Sequence, residues 1–233
     1  MKVSVVIPVL NGQNYIADAI ESVLKQDYKD IDLVVCDGES TDSTRKIAEA
    51  YKVKIVQGKL GLVPNWRCAL EAATGDYVKI LCHDDTLEPD CISKQAKELD
   101  EDPEIIMVSG PRQYIDKDGK KIEPNMNGAR KKIKGIAMAE FMLQYGNIVG
   151  ETSCTLFRNT KITFPENLNW LCDMYMWIQL FSKGDFLFIP EKLVNIRKHD
   201  EQDTFRVLAD PNYGAKEASD KQHIYDFYCG MVA

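Results

Sequence analysis

Two carboxylates stand side by side where a hydrophobic run ends: Tyr77-Val78-Lys79-Ile80-Leu81-Cys82-His83-Asp84-Asp85. The run is apolar and β-branched, so it reads as a buried strand, and Glu88-Pro89 then opens a helix. Burying one uncompensated charge is costly, and a second charge of the same sign beside it costs more. A fold tolerates such a pair at the carboxyl end of a strand when positive charge gathers there. A divalent cation carrying phosphates meets that need. The plainer alternative is an acidic turn in which Asp85 caps the helix starting near Leu87.

Strands and helices must bring other groups to the same place. Val3-Ser4-Val5-Val6-Ile7-Pro8-Val9 is a buried strand that runs into Leu10-Asn11-Gly12. Tyr15, Ile16, Ala19, Ile20, Val23 and Leu24 then keep helical spacing. Residues 31–36 form a second strand, which ends on Asp37-Gly38, and Ser40 or Thr41 caps a helix through about Tyr51. A third strand covers 53–56, a third helix 64–73 with Pro64 early in its first turn, and a fourth strand 77–82. This alternation predicts a mostly parallel sheet with helices on both faces. Ligands of such sheets bind beyond the carboxyl ends of the strands. Three strands end there on useful residues, at Pro8 to Asn11, Asp37-Gly38 and Asp84-Asp85, and the coincidence favours a nucleotide site.

Farther on, 105–109 reads as a strand, 115–122 as a hairpin turning on Asp118-Gly119, and 135–145 as a helix. Residues 124–134 carry Arg130, Lys131, Lys132 and Lys134 without periodicity, as a solvated loop, a lid or a membrane-headgroup contact would. Residues 151–157 are strand-like, 171–181 helical, 186–189 and 193–196 short strands, and 212–229 a terminal helix.

At 233 residues the chain is long enough for one large α/β domain. Its net charge of −7 argues against nucleic-acid binding. Seven cysteines without a C-x-x-C pair read as reduced packing residues of a cytosolic protein. The sequence shows neither a signal peptide nor a membrane span, so the expectation is a soluble, cytoplasmic protein that can still visit the inner face of the plasma membrane.

In order along the chain, these segments resemble the inverting GT-A glycosyltransferases, specifically the bacterial family 2 enzymes. The first strand through Asn11 is similar to their opening signature, and Cys36-Asp37-Gly38-Glu39-Ser40-Thr41-Asp42 to their Asp-Gly-Ser-Thr-Asp turn, with Glu39 as an extra residue. Asn65-Trp66-Arg67, Thr74-Gly75-Asp76-Tyr77-Val78, Asp84-Asp85, Ser153 to Arg158, Asp173 ahead of Trp177, and Arg197-Lys198-His199 follow in the family's order. The resemblance implies a GT-A (Rossmann-like) domain over 1–205, with a nucleotide-binding half at 1–110 and a variable acceptor-binding half at 111–205. Residues 206–233 would form a helical tail.

The resemblance further implies roles. Asp37 would accept a hydrogen bond from the nucleobase, with Pro8, Val9 and Asn11 framing that pocket; a carboxylate suits a uracil imide N–H. Asp85 would bind Mn²⁺ or Mg²⁺, with Asp84 on the ribose or behind the metal. His199 would reach the metal or diphosphate with Arg197 as its charge partner, and Arg67, where Asn is usual, could serve the diphosphate. Asp173 would be the general base, although a helix-start Asp is also a good cap. Cys172 replaces the acidic residue usual before it, which keeps Glu166 as a weaker candidate base.

The implied activity is metal-dependent transfer of a sugar from a nucleotide-diphosphate sugar, UDP-linked by preference, to an acceptor hydroxyl with inversion. A glycan or lipid-linked glycan of a surface polysaccharide would be the acceptor, and peripheral membrane contact and a homodimer are compatible with it. Two rivals stand beside this reading. A sugar-phosphate nucleotidyltransferase would need a Gly-rich basic loop where Val9-Leu10-Asn11-Gly12-Gln13 stands. A nucleotide-sugar-binding assembly subunit would keep the pocket and lack turnover.

Overall fold

The computed structural model describes residues 1–122, 128–200, 202 and 207–232. The first half alternates β1 (Val3–Val9), α1 (Ile16–Leu24), β2 (Ile31–Asp37), α2 (Thr44–Ala50), β3 (Lys54–Gln57), α3 (Leu62–Ala72) and β4 (Tyr77–Ile80). After it come β5 (Thr86–Leu87), α4 (Cys91–Glu101), β6 (Ile105–Ser109), β7 (Arg112–Ile115), β8 (Lys121–Ile122), β9 (Lys131–Ile133) and α5 (Gly135–Tyr145). A 3-10 turn at Thr152–Cys154 leads to β10 (Leu156–Arg158), α6 (Cys172–Phe181), β11 (Asp185–Phe188), β12 (Val194–Arg197) and α7 (Tyr213–Val232).

The main sheet has the order β3-β2-β1-β4-β10-β6-β11-β9, with β3 and β9 at its edges. β1 lies between β2 and β4, parallel to both, and β3 is parallel to β2. Every residue of β1 is buried, as a central strand covered on both faces requires. Its alternating side chains feed two cores. Val3, Val5, Ile7 and Val9 meet Ile16, Ala19, Ile20, Ile92 and Leu99 of α1 and α4. Val6 faces the other way, into the core shared with Trp66 of α3, Met138 and Met142 of α5, Trp177 and Leu180 of α6, and Ile224 of α7.

The second half departs from simple alternation. β10 is antiparallel to both β4 and β6, so the strand-like 151–157 segment resolves into the 3-10 turn and a reversed strand. A small sheet of order β5-β12-β7-β8 lies apart from the main one and carries Arg197 at the end of β12. The hairpin expected at 115–122 is present, with Gly119 at φ 84° in its turn. The strand expected to run to Cys82 ends at Ile80: Leu81 N–H still reaches Val6 O, but Cys82 N–H turns to Ser153 Oγ at 3.0 Å.

Of the basic stretch read as a loop, 124–127 lies outside the described residues, and Lys131–Ile133 is instead the edge strand β9. Arg130 pairs with Glu98, Lys132 with Asp102 and Glu104, and Lys134 with Asp185. Local acidic groups supply the order that periodicity did not predict. Among the described residues no helix is long and apolar enough to cross a membrane.

Candidate active site

The carboxyl ends of β1 and β2 are joined by side chains of their loops. Asn11 takes a left-handed conformation (φ 53°); its N–H donates to Ser40 Oγ at 2.9 Å and its Oδ1 accepts from Thr41 N–H at 2.8 Å. Asp42 accepts from the N–H groups of Gln13 and Thr44, and the N-cap position of α2 is Ser43, without a side-chain cap bond, rather than the expected Ser40 or Thr41. Asn65, buried on α3, donates through Nδ2 to Val9 O and Cys36 O, both at 3.3 Å. One amide thus holds two adjacent strand ends at a fixed spacing. Asp37 is only 3% exposed; its Oδ1 accepts from Ser40 N–H, and Arg45 Nη1 lies 3.9 Å from Oδ2.

The acidic pair follows β4. Asp85 is 4% exposed, accepting from Ser153 Oγ at 2.6 Å and from Arg197 N–H at 3.1 Å. Burial, reinforced by the Asp84 charge, pushes its carboxyl well above the usual carboxylate range. Asp84 Oδ2 lies 3.0 Å from His199 Nε2. The Arg197 guanidinium points past the pair, donating to Asp84 O, Lys117 O and Asp18 Oδ2 and stacking on the Tyr15 ring at 4.6 Å. Among the described residues no lysine or arginine side chain is ion-paired with Asp85.

Possible ligand atoms of Cys82, Asp84 and Asp85 all lie within 4.8 Å of one another. The donor set fits a hard divalent cation through the two carboxylates. Burial pushes the Cys82 thiol well above its ordinary value, and a neutral thiol is a poor partner for such an ion.

Asp173 opens α6. Its Oδ1 accepts from Met174 N–H at 2.7 Å, and its Oδ2 from Asn147 Nδ2 at 3.2 Å. Burial pushes this carboxyl up to about 6, which suits a proton acceptor working near neutral pH. The capping expectation is not met: the N-cap position of α6 is Leu171, the helix has no side-chain cap bond, and Asp173 sits inside the first turn with its second oxygen directed at Asn147.

A cavity of about 420 Å³ collects many of these elements. Pro8, Val9 and Gly38 line it from the ends of β1 and β2, Leu62, Asn65 and Trp66 from α3, and Cys82, His83, Asp84 and Asp85 from beyond β4. Glu151, Trp170, Lys198 and Asp210 close the other side. Pro8, Val9, Asp84 and Asp85 thus meet as expected. Asp37 directly precedes lining Gly38, His199 lies against Asp84, and Asp173 follows lining Trp170 by three residues, but none of these three lines the cavity itself. Asn11 is engaged with the 40–41 turn, and Arg67 Nη2 donates to Phe164 O at 3.1 Å, joining α3 to the segment before α6. Lys59, Glu151 and Trp170 escaped sequence reading, because only the fold brings these loops to β4.

A family model described as "Glycosyl transferase family 2" matches residues 4–163. The chain belongs to glycosyltransferase family 2. An uncharacterized glycosyltransferase of Rickettsia prowazekii is 31% identical over 218 residues, covering 88% of this chain and 67% of its own length. Chondroitin synthase of Escherichia coli is 26% identical over 215 residues, 88% of this chain but only 30% of that protein. The chain therefore spans from under a third to two thirds of such relatives. Among solved structures, S. aureus TarS 1–349 in complex with UDP-GlcNAc superposes with a TM-score of 0.71 at 19% identity, covering 93% of this chain and 69% of that one. The glycosyltransferase has the GT-A fold that its strand-end motifs implied. Residues 164–232, beyond the matched family segment, supply Trp170, Asp173 and Lys198 to the region of the cavity.

Proposed function

We propose that this family 2 glycosyltransferase moves a sugar from a UDP-sugar to an acceptor hydroxyl with inversion, using Mn²⁺ or Mg²⁺, in assembly of a surface glycan. The observation that supports this best is that Asp84 and Asp85 line the same cavity as the carboxyl ends of β1 and β2. The UDP-GlcNAc complex of TarS, similar in fold, favours a uridine nucleotide.

In this reading Pro8, Val9, Gly38 and Asn65 shape the nucleotide end, and Asp37 selects the base from behind Gly38. Asp85 holds the metal with Asp84 beside it, and His199 orients Asp84. When bound, the cation supplies Lewis-acid neutralisation of charge on the departing diphosphate. Lys59 and Lys198, both lining the cavity, add positive charge of their own. Asp173 takes the acceptor proton as the hydroxyl attacks in line, so no covalent sugar–protein intermediate is needed. Its carboxylate must approach that oxygen to roughly 2.6–3.2 Å in the productive complex. The acceptor is a glycan or lipid-linked glycan meeting the Glu151 and Trp170 side.

A donor screen by thermal shift with Mn²⁺, followed by hydrolysis of the best nucleotide sugar, tests the reading. Asp173→Asn should keep nucleotide binding while turnover falls by about 10²–10⁴-fold. Equal turnover in that variant would remove Asp173 from its role, and nucleotide binding without turnover in the unaltered chain would favour the assembly-subunit reading.

A further inference from the structure

Asp220 is a carboxylate with no exposed surface, on a helix that follows the segment matched by the family model. It accepts four hydrogen bonds. Oδ1 takes the N–H and Nδ2 of Asn169, each at 2.9 Å. Oδ2 takes the N–H groups of Trp170 at 2.6 Å and Leu171 at 3.0 Å. Three consecutive amides ahead of α6 therefore close around one anion, at the end of the helix where the dipole favours negative charge. One helical turn earlier on α7, Lys216 Nζ lies 5.0 Å from the Trp170 ring and 2.6 Å from Asp210, and both Trp170 and Asp210 line the cavity.

The segment so clamped is short. Trp170 lines the cavity, Leu171 immediately precedes α6, and Asp173 lies in the first turn. Without the anion, the amides of 169–171 would have to find water or fold differently, and burial makes either alternative costly. Ile224, one turn beyond Asp220, anchors α7 in the same core as Trp177 of α6, so the clamp has a rigid base. Asn147, which donates to Asp173 Oδ2, approaches from α5's side, and Tyr228 of α7 donates to Glu140 of α5.

We propose that Asp220 is a positioning residue for the transfer reaction: from the terminal helix it fixes the 169–171 turn, and through it Trp170 and the base Asp173. The inference rests on the assignment of Asp173 as base, and its test separates the two. In the unaltered chain, hydrogen exchange should show the Asn169, Trp170 and Leu171 amides protected to the level of the α6 interior, although they lie outside the helix. In Asp220→Asn these amides should exchange at least about tenfold faster, while the β1 and β4 amides stay protected. UDP affinity should change by less than about twofold, because the nucleotide end is built from β1, β2 and α3. Turnover of UDP-GlcNAc with Mn²⁺ should fall by about tenfold, and Asp220→Asn should add no further loss to Asp173→Asn.

Unprotected amides in the unaltered chain would overturn the clamp even if the variant failed to fold. Unaltered protection or unaltered turnover in a folded Asp220→Asn would do the same, as would losses that multiply in the double variant. If the unaltered chain turns over no UDP-sugar, the proposed activity falls, and the exchange comparison alone then decides whether Asp220 holds the turn.

Discussion

At the scale of single residues, function depends on which carboxylates are charged at working pH. Asp173 is pushed up to about 6 by burial, and in its proposed role as base it works only when deprotonated. The sign follows: activity is present above this value and is lost as pH falls through it. The acid limb of kcat/KM should bend near pH 6, with a drop of about tenfold between pH 7 and pH 5. A limb below pH 4.5 would mean that another group takes the proton. The role proposed for Asp85 is different, that of holding a cation. Saturating Mn²⁺, at about 100 times its dissociation constant, should stabilise the fold by about 2.7 kcal/mol in a melting experiment. Asp85→Asn should abolish that increment. The acidic pair was legible in the sequence because two carboxylates interrupt an apolar strand pattern. The base role proposed for Asp173 has no local signal, since a helix-start Asp reads equally well as a cap, and it rests on the ordered resemblance. Glu151 and Lys59 carry no local signal; their roles depend on which loops the topology brings to β4.

At the scale of elements, the site exists because neighbouring strand ends are held in register. Asn65 carries out that task between β1 and β2. Asn65→Leu should remove the amide that bridges Val9 O and Cys36 O, although Gly38 N–H still donates to Val9 O, lowering stability by about 1–3 kcal/mol in urea denaturation and raising the KM for donor. The alternation of β1 to β4 with three helices was readable from periodicity because each helix repeats its apolar face and each strand is a short apolar run. The reversed strand β10 was not, since an apolar triplet does not reveal its direction. The 3-10 turn before it carries Ser153, whose hydroxyl both accepts the Cys82 N–H just beyond β4 and supports Asp85. The basic run 130–134 misled for a related reason: its order comes from Glu98, Asp102, Glu104 and Asp185, residues remote in sequence.

At the scale of the molecule, Arg197 ties the small sheet to the large one. Its side chain is 2% exposed, and the guanidinium reaches the turn at Lys117, the backbone of Asp84 and, on α1, Asp18. An ammonium cannot span those three directions with the same planar fork. Arg197→Lys should therefore cost about 1–3 kcal/mol in chemical denaturation and weaken Mn²⁺ binding through the displaced Asp84. The two rims of the main sheet carry a further consequence. An uncovered strand is an open invitation for a second chain to extend the ladder. Here one rim offers Lys54 on β3 and the other Lys131 and Lys132 on β9. Stacking two copies rim to rim would crowd Lys54 against Lys131, so growth into fibrils is discouraged, while Asp102 and Glu104 of the turn after α4 hold the neighbouring Lys132 in place.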